Sequence, residues 1–321
     1  MWIFLIIPAL ATAFSWIIAL ELLPRMKEEG IKGKDIHKAE NPHVPEMGGL
    51  VLVGGFTLGM LAIVGFSEFA GRLQILDLRS ILAAGFTVLI LALIGMVDDL
   101  LGVRQLVKAF LPMLAALPLM AIKAGKQVIG FPIRMDIGLV YPLLVVPIGV
   151  TGAANAMNML AGFNGLEVGL GVVMTAAFAF IGWYLEAWTA FFILISLLGP
   201  LLVTLYYNWY PAKLFVGDVG TLSIGAVIAT AVIIGNYEWA GVIVIIPFVI
   251  DFFLKAASGF PSSGWGGELG DEGELVCPQD RPVSLPQLVM KVTGGITERN
   301  LVLVLLGVEA VFAALAVVFY L

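Results

Sequence analysis

The 321 residues are 60% hydrophobic and 12% charged, with a mean hydropathy of +1.04, which excludes a soluble domain of ordinary composition. The net charge of −6 excludes little, because a membrane protein is read from where its cations sit. A single cysteine, Cys277, excludes an internal disulfide and any cysteine-based metal site.

In chain order, apolar windows long enough to cross about 30 Å of hydrocarbon recur almost end to end. They predict ten helices near residues 1–23, 47–66, 80–97, 107–124, 138–156, 166–186, 188–207, 220–235, 240–257 and 299–320. The first window runs on past Ala9, Ala11 and Ala13, so it reads as an anchor rather than a cleaved signal. The expected architecture is an all-α polytopic membrane protein with one integral membrane domain over 1–321. A long polar loop at 258–298, between helices nine and ten, is expected to be functional and to hold a short β-hairpin around 275–288.

An even number of crossings puts both termini on one side. One set of loops then holds Arg25, Lys27, Lys32, Lys34, Lys38, Arg104, Lys108, Lys213, Lys255, Arg281, Lys291 and Arg299. The other holds Arg72, Arg79, Lys123, Lys126 and Arg134. The positive-inside bias places the first set in the cytoplasm and both termini outside.

Four polar clusters fall on that same cytoplasmic side: GMVDDLLGVRQLVK (95–108), NAMNMLAGFNGLEVG (155–169), NWYPAKLFVGDVG (208–220) and CPQDRP (277–282), together with HKAENPHVPEMGG (37–49). Polar groups are costly near lipid, so such clusters are functional candidates. Asp98 and Asp99 with Arg104 and Lys108 could bind Mg²⁺, activate a proton donor and hold phosphate oxygens, or simply finish a helix. Asn155, Asn158 and Asn164 lie among Gly162 and Gly165; amides can ligate a hard cation or read a base edge, and they also make turns. Asp218 after Phe215 and Gly217 could cap the next helix or ligate a metal, with the aromatic stacking on a base. Arg281, bracketed by prolines, could clamp a phosphate or sugar. Glu309 lies mid-helix without a companion motif. Asp251, four before Lys255, has ordinary helix-pair spacing but lies near the pocket side.

In order and spacing these clusters resemble the polyprenyl-phosphate N-acetylhexosamine-1-phosphate transferase family over nearly the whole chain. The carriers are the Asp98-Asp99 pair, the N-A-x-N-x-L-A-G-x-N-G-L-E run from Asn155 to Glu167, and the F-x-G-D element ending at Asp218. The resemblance implies about ten membrane helices and an active site on the cytoplasmic face, in the plasma membrane for a prokaryote. It implies transfer of a sugar-1-phosphate from a UDP-sugar to a polyprenyl or dolichyl phosphate, with release of UMP. By the same motifs Asn158 and Asp218 are expected to ligate Mg²⁺ (or Mn²⁺), Asn164 to read uracil with Phe215 stacked on it, and Lys108 to hold phosphates. Asp98 and Asp99 are expected beside the attacking lipid phosphate, with Asn155 and Glu167 in support.

The last loop departs from the pattern. The histidine motif of peptidoglycan-type members is absent, the histidines being His37 and His43. After Cys277-Pro278 the chain reads Gln279-Asp280-Arg281 where the eukaryotic and archaeal form continues Arg-His-Arg, so only Arg281 matches. This points toward GlcNAc-1-phosphate transfer in N-glycan initiation, with a peptidoglycan or O-antigen donor as the alternative. The expected partners are the UDP-sugar, the lipid phosphate, membrane lipid and, as the one protein partner, a second copy in a homodimer; no nucleic acid is expected. A polytopic transporter is the rival from another class, but it would need polar groups near the midplane. An enzyme joining CDP-activated alcohols would need a spaced-Asp signature that is missing. The released nucleotide separates them: UMP for phosphosugar transfer, UDP for a simple glycosyltransferase, CMP for the alcohol enzyme and none for a transporter.

Overall fold

The computed structural model describes residues 3–71, 73–129, 135–261, 264–271 and 273–321. Arg72 and Arg134 of the outer-loop set, and Met1 of the first window, lie outside the described residues. The chain is helical almost throughout. Its helices are α1 (Ile3–Glu28), α2 (Gly49–Glu68), α3 (Leu78–Leu101), α4 (Gln105–Phe110), α5 (Pro112–Ala115), α6 (Leu117–Ala121), α7 (Val146–Met159), α8 (Leu166–Tyr184), α9 (Trp188–Asn208), α10 (Gly217–Gly235), α11 (Glu238–Val244), α12 (Ile246–Ala257), α13 (Leu285–Thr293) and α14 (Glu298–Tyr320).

Among the described residues eight helices are long and apolar enough to cross a membrane, α7 counting with the wide π turn Tyr141–Val145 that precedes it. The other two expected spans are helical but interrupted. The 107–124 span is broken into α4, α5 and α6, because Pro112 and Pro118 lack the N–H that would continue the ladder. The 240–257 span bends by 52° between α11 and α12, where Pro247 removes another backbone donor.

The core sits around α10. Of its apolar stretch 83% is buried by protein, against 28% for α1, which faces outward. Close approach of its neighbours depends on glycine. A Cβ on Gly49 of α2 would strike the backbone of Gly220, and one on Gly95 of α3 would lie 2.5 Å from the Asp218 carbonyl oxygen. Small residues at such crossings let backbones pack without lipid between them.

Three two-stranded antiparallel ribbons decorate the ends. β1 (Lys32–Lys34) pairs with β2 (His43–Pro45), and β3 (Val128–Ile129) with β4 (Met135–Asp136). β5 (Glu268–Leu269) pairs with β6 (Leu275–Val276). The hairpin expected at 275–288 is therefore displaced: its second strand starts at Leu275, a turn follows over 277–284, and α13 begins at Leu285. Ser284 caps this helix by accepting from Gln287 N–H at 3.3 Å, and Pro286 suits its first turn.

Gly95→Val is expected to lower thermal stability, since overpacking of a filled contact costs about 1–3 kcal/mol. Unfolding of the purified protein in detergent measures this, and an unchanged midpoint would contradict the close α3–α10 crossing.

Candidate active site

The ends of α3, α7, α9 and α12 and the beginnings of α4, α8, α10 and α14 meet on one side of the bundle. There α10 begins at Gly217, three residues before the expected 220, and Val216 at its N-cap offers no side-chain acceptor. The first amides of a buried helix need partners. Asp99, on α3, supplies them: its Oδ1 accepts from Asp218 N–H at 2.7 Å and its Oδ2 from Val219 N–H at 3.1 Å. Asp218 is thus not the cap of its own helix, and its carboxylate is free to face the site.

That carboxylate is ringed by the expected partners. Its Oδ2 pairs with the Lys108 ammonium, and its Oδ1 accepts from Asn158 Nδ2 at 2.6 Å. Asn158 also donates to Thr221 Oγ1 at 2.9 Å. Lys108 bridges to Asp98 Oδ2 at 2.6 Å, while Asp98 Oδ1 accepts from Val103 N–H at 2.6 Å. Asn155, one turn before Asn158 on α7, donates to the Ala109 carbonyl at 2.9 Å and so fixes the short helix that carries Lys108. Asp98, Lys108, Asn158 and Asp218, from separate segments, are brought to one point. Asp99 belongs to the scaffold beneath them.

A cavity of about 510 Å³ opens beside this point. Asn158, Asp218, Thr221, Phe215, Glu167 and Asn164 line it, with Asp35, His37, Glu46, Lys255 and Trp265. Phe215 is held by its backbone, donating to the Pro45 carbonyl at 2.7 Å and accepting from Gly48 N–H at 2.8 Å. Glu167 is buried and its Oε2 lies 3.5 Å from Gly162 N.

Asn164 lines the cavity and is held by the protein around it. Its backbone N–H and its Nδ2 both donate to Glu298 Oε1 at 2.7 Å, Nδ2 also reaches Asp35 Oδ2 at 3.1 Å, and Oδ1 accepts from Ala212 N–H at 2.6 Å. Arg281 is exposed on the 277–284 turn and is not among the described residues that wall the cavity.

Several residues were not singled out from the sequence. Lys38 pairs with Glu298 and with Asp35 at 3.4 Å, tying the 29–48 segment to the start of α14. Asp35, His37 and Glu298 present ligand atoms within 4.8 Å of one another, but Lys38 and Asn164 already occupy the two carboxylates, so the group is an ion-pair lock. His37 stacks on Phe163 with centroids 4.5 Å apart and planes 10° apart. Burial depresses its pKa below the ordinary 6.5, against the pull of Glu298 and Asp35. Burial, reinforced by Asp99, raises the Glu46 carboxyl. Asn208, buried, accepts from Gly165 N–H at 3.1 Å and donates to the Leu214 carbonyl at 2.9 Å, joining two of the motif loops. Glu309, buried in α14, meets no hydrogen-bond partner among the described residues.

Asp99→Ala is expected to cost about 1 kcal/mol of stability as a lost cap, while Asp99→Asn, which keeps one acceptor, retains more of both fold and activity. Equal inactivity of the two variants in well-folded protein would instead assign Asp99 to proton transfer. For His37 the fold prefers the neutral ring, so its stabilising contribution is complete above 6.5 and is lost as pH falls below that value toward the depressed one. The midpoint difference between wild type and His37→Phe should accordingly shift toward the variant on acidification; parallel curves from pH 7.5 to 5 would contradict it.

The sequence profile of glycosyl transferase family 4 matches residues 81–236. A putative UDP-N-acetylglucosamine–dolichyl-phosphate N-acetylglucosaminephosphotransferase of Saccharolobus solfataricus is 35% identical over 98% of this chain and 96% of its own. The protein of that name from Dictyostelium discoideum is 25% identical over 90% of this chain and 82% of its own. A phospho-N-acetylmuramoyl-pentapeptide-transferase of Enterococcus hirae is 36% identical over 38% of this chain and 37% of its own.

Proposed function

The chain belongs to glycosyl transferase family 4, and on that footing we propose that it transfers GlcNAc-1-phosphate from a UDP-sugar to a polyprenyl or dolichyl phosphate, releasing UMP. The reaction would be the first step of lipid-linked glycan assembly. The observation that carries this reading is the convergence of Asp98, Lys108, Asn158 and Asp218 at one point beside a cavity that Asn158 and Asp218 line. Relatives named for GlcNAc transfer to dolichyl phosphate align over up to 98% of the chain, whereas two pentapeptide transferases align over 38% and 69% of it.

In this reading an oxygen of the lipid phosphate attacks the β-phosphorus of the donor. A new P–O bond forms to the lipid, the P–O bond to the α-phosphate breaks, and UMP leaves with the bridging oxygen. One diphosphate replaces another, so no ATP is needed. The lipid phosphate is already anionic near neutral pH, and no base is required to create the nucleophile. Asp98, held by Val103 N–H and Lys108, then serves to aim the ammonium. Lys108 draws charge from the transferring phosphoryl group. Phe215 offers its face to the base, and Asn164 holds the loop that shapes that end of the cavity.

The donor set suits Mg²⁺. Asp218 and Asn158 present hard oxygen ligands, and the Lys108 ammonium placed between two carboxylates marks a position that attracts cations. When bound there, the ion would neutralise diphosphate charge. A nearly apolar cavity of about 230 Å³, walled by Val145, Ala153, Met157, Ile228 and Phe248, lies between α7, α10 and the bent α11–α12 pair, and in this reading it would take a short part of the lipid chain. The site faces the cytoplasm in this reading, where the soluble donor is found and the cation-rich loops lie.

Membranes supplied with polyprenyl phosphate and a panel of labelled UDP-sugars test the proposal. UMP release with UDP-GlcNAc is expected, excess UMP should regenerate UDP-GlcNAc from the lipid product, and Asp218→Ala or Asn158→Ala should remove most turnover, at least about 100-fold. Release of UDP, or near-normal turnover in folded variants, would sink it.

A further inference from the structure

We propose that Lys255 is a second donor-binding cation of this cavity, holding the diphosphate together with Lys108; the inference rests on the transfer reaction just described. Lys255 ends α12 with its side chain 10% exposed, and it lines the same cavity as Asn158 and Asp218. An ammonium carries three donors. The ammonium forms an ion pair with Asp251 Oδ2 at 2.7 Å and donates to the carbonyl of Met159, the residue after Asn158. Among the described residues only the Trp265 ring, 5.8 Å away, meets the remainder, so one N–H is left for a ligand in the cavity.

A further cation on the wall suits an incoming anion. The described wall carries the carboxyl groups of Asp35, Glu46, Glu167 and Asp218, and its cations are the exposed Lys34 and the buried Lys255. Lys38 answers Asp35, and Lys108 answers Asp98 and Asp218. A diphosphate entering this space gains from a cation beyond Lys108. The loop that follows α12 brings none: Arg281 is exposed, Gln279 is neutral and reaches back to the Gly264 carbonyl at 3.4 Å, and the Asp280 carbonyl accepts from Lys291.

Its position is built. Asp251, 1% exposed, accepts from Leu285 N–H at 2.8 Å with Oδ1 and pairs with Lys255 through Oδ2. The ammonium is thereby referenced to the start of α13. Trp265 packs on the face of Gly162, which has φ of +107° and leaves no room for a Cβ. That contact closes the wall on which Lys255 lies.

The test uses the purified full-length enzyme and Lys255→Gln. Loss of a charge-assisted contact is expected to raise the KM for the UDP-sugar about tenfold or more, with the KM for polyprenyl phosphate unchanged. A rise confined to the lipid substrate would overturn the assignment. A second arm measures binding of UDP, UMP and uridine without turnover, and so separates this inference from the reaction itself. The preference for UDP over UMP should shrink in Lys255→Gln while uridine binds as before. An unchanged preference overturns the inference, as does an equal loss for all three ligands with a lowered unfolding midpoint, which would mark Lys255 as structural only. Wild type that binds UDP through Lys255 yet releases no UMP would defeat the proposed reaction and leave this cation site standing.

Discussion

A helix enclosed by protein on all sides must have its first amides answered by another element, because water does not reach them. In this chain that constraint falls on α10, and the answer is Asp99. The bond pair from Asp99 to the amides of Asp218 and Val219 fixes the end of α3 against the start of α10. It also sets where the Asp218 carboxylate points. Successive residues on a helix are turned by about 100°, so Asp98 cannot share this duty and faces Lys108 instead. Two adjacent acids thus divide into one that builds the site and one that furnishes it.

The same economy appears at the other end of the cavity. Asn164, Asp35, Lys38 and Glu298 come from three separate segments and satisfy one another within a buried network. Burying two carboxylates is tolerable only with such partners. The network joins the 29–48 segment, the α7–α8 turn and the start of α14, and it therefore controls the width of the cavity between them. His37 closes its edge by stacking on Phe163 rather than by a polar bond.

Much of this was legible beforehand. The ten helical segments follow from apolar windows, and the four residues around Asp218 were recognisable because motif and spacing put them at helix ends on one side. The missed parts have physical reasons. The partner of Asn164, Glu298, lies 134 positions away and looks like an ordinary first-turn acid of α14. Asp99 and Asp98 are indistinguishable as letters; only the crossing of α3 with α10 separates them. The breaks in the 107–124 and 240–257 spans were signalled by Pro112, Pro118 and Pro247, yet hydropathy averaging passes over a missing N–H. α13 was hidden because its one exposed face and short length leave too few apolar residues for a window to register.

Placement of Lys255 follows from the same logic that splits the acid pair. A lysine four residues after an aspartate on a helix reads as a surface pair worth little, and on an exposed helix it would be. Here the pair is buried, Asp251 is committed to the backbone of another helix, and the ammonium is pressed toward a cavity that holds more acids than bases. Burial converts a commonplace spacing into a directed charge, since the low dielectric raises the worth of every unspent donor. Asp99 and Asp251 thus act alike: the first gives both oxygens to the amides that begin α10 and the second gives one to the amide that begins α13, and each thereby fixes a charged side chain, Asp218 or Lys255, that lines the cavity.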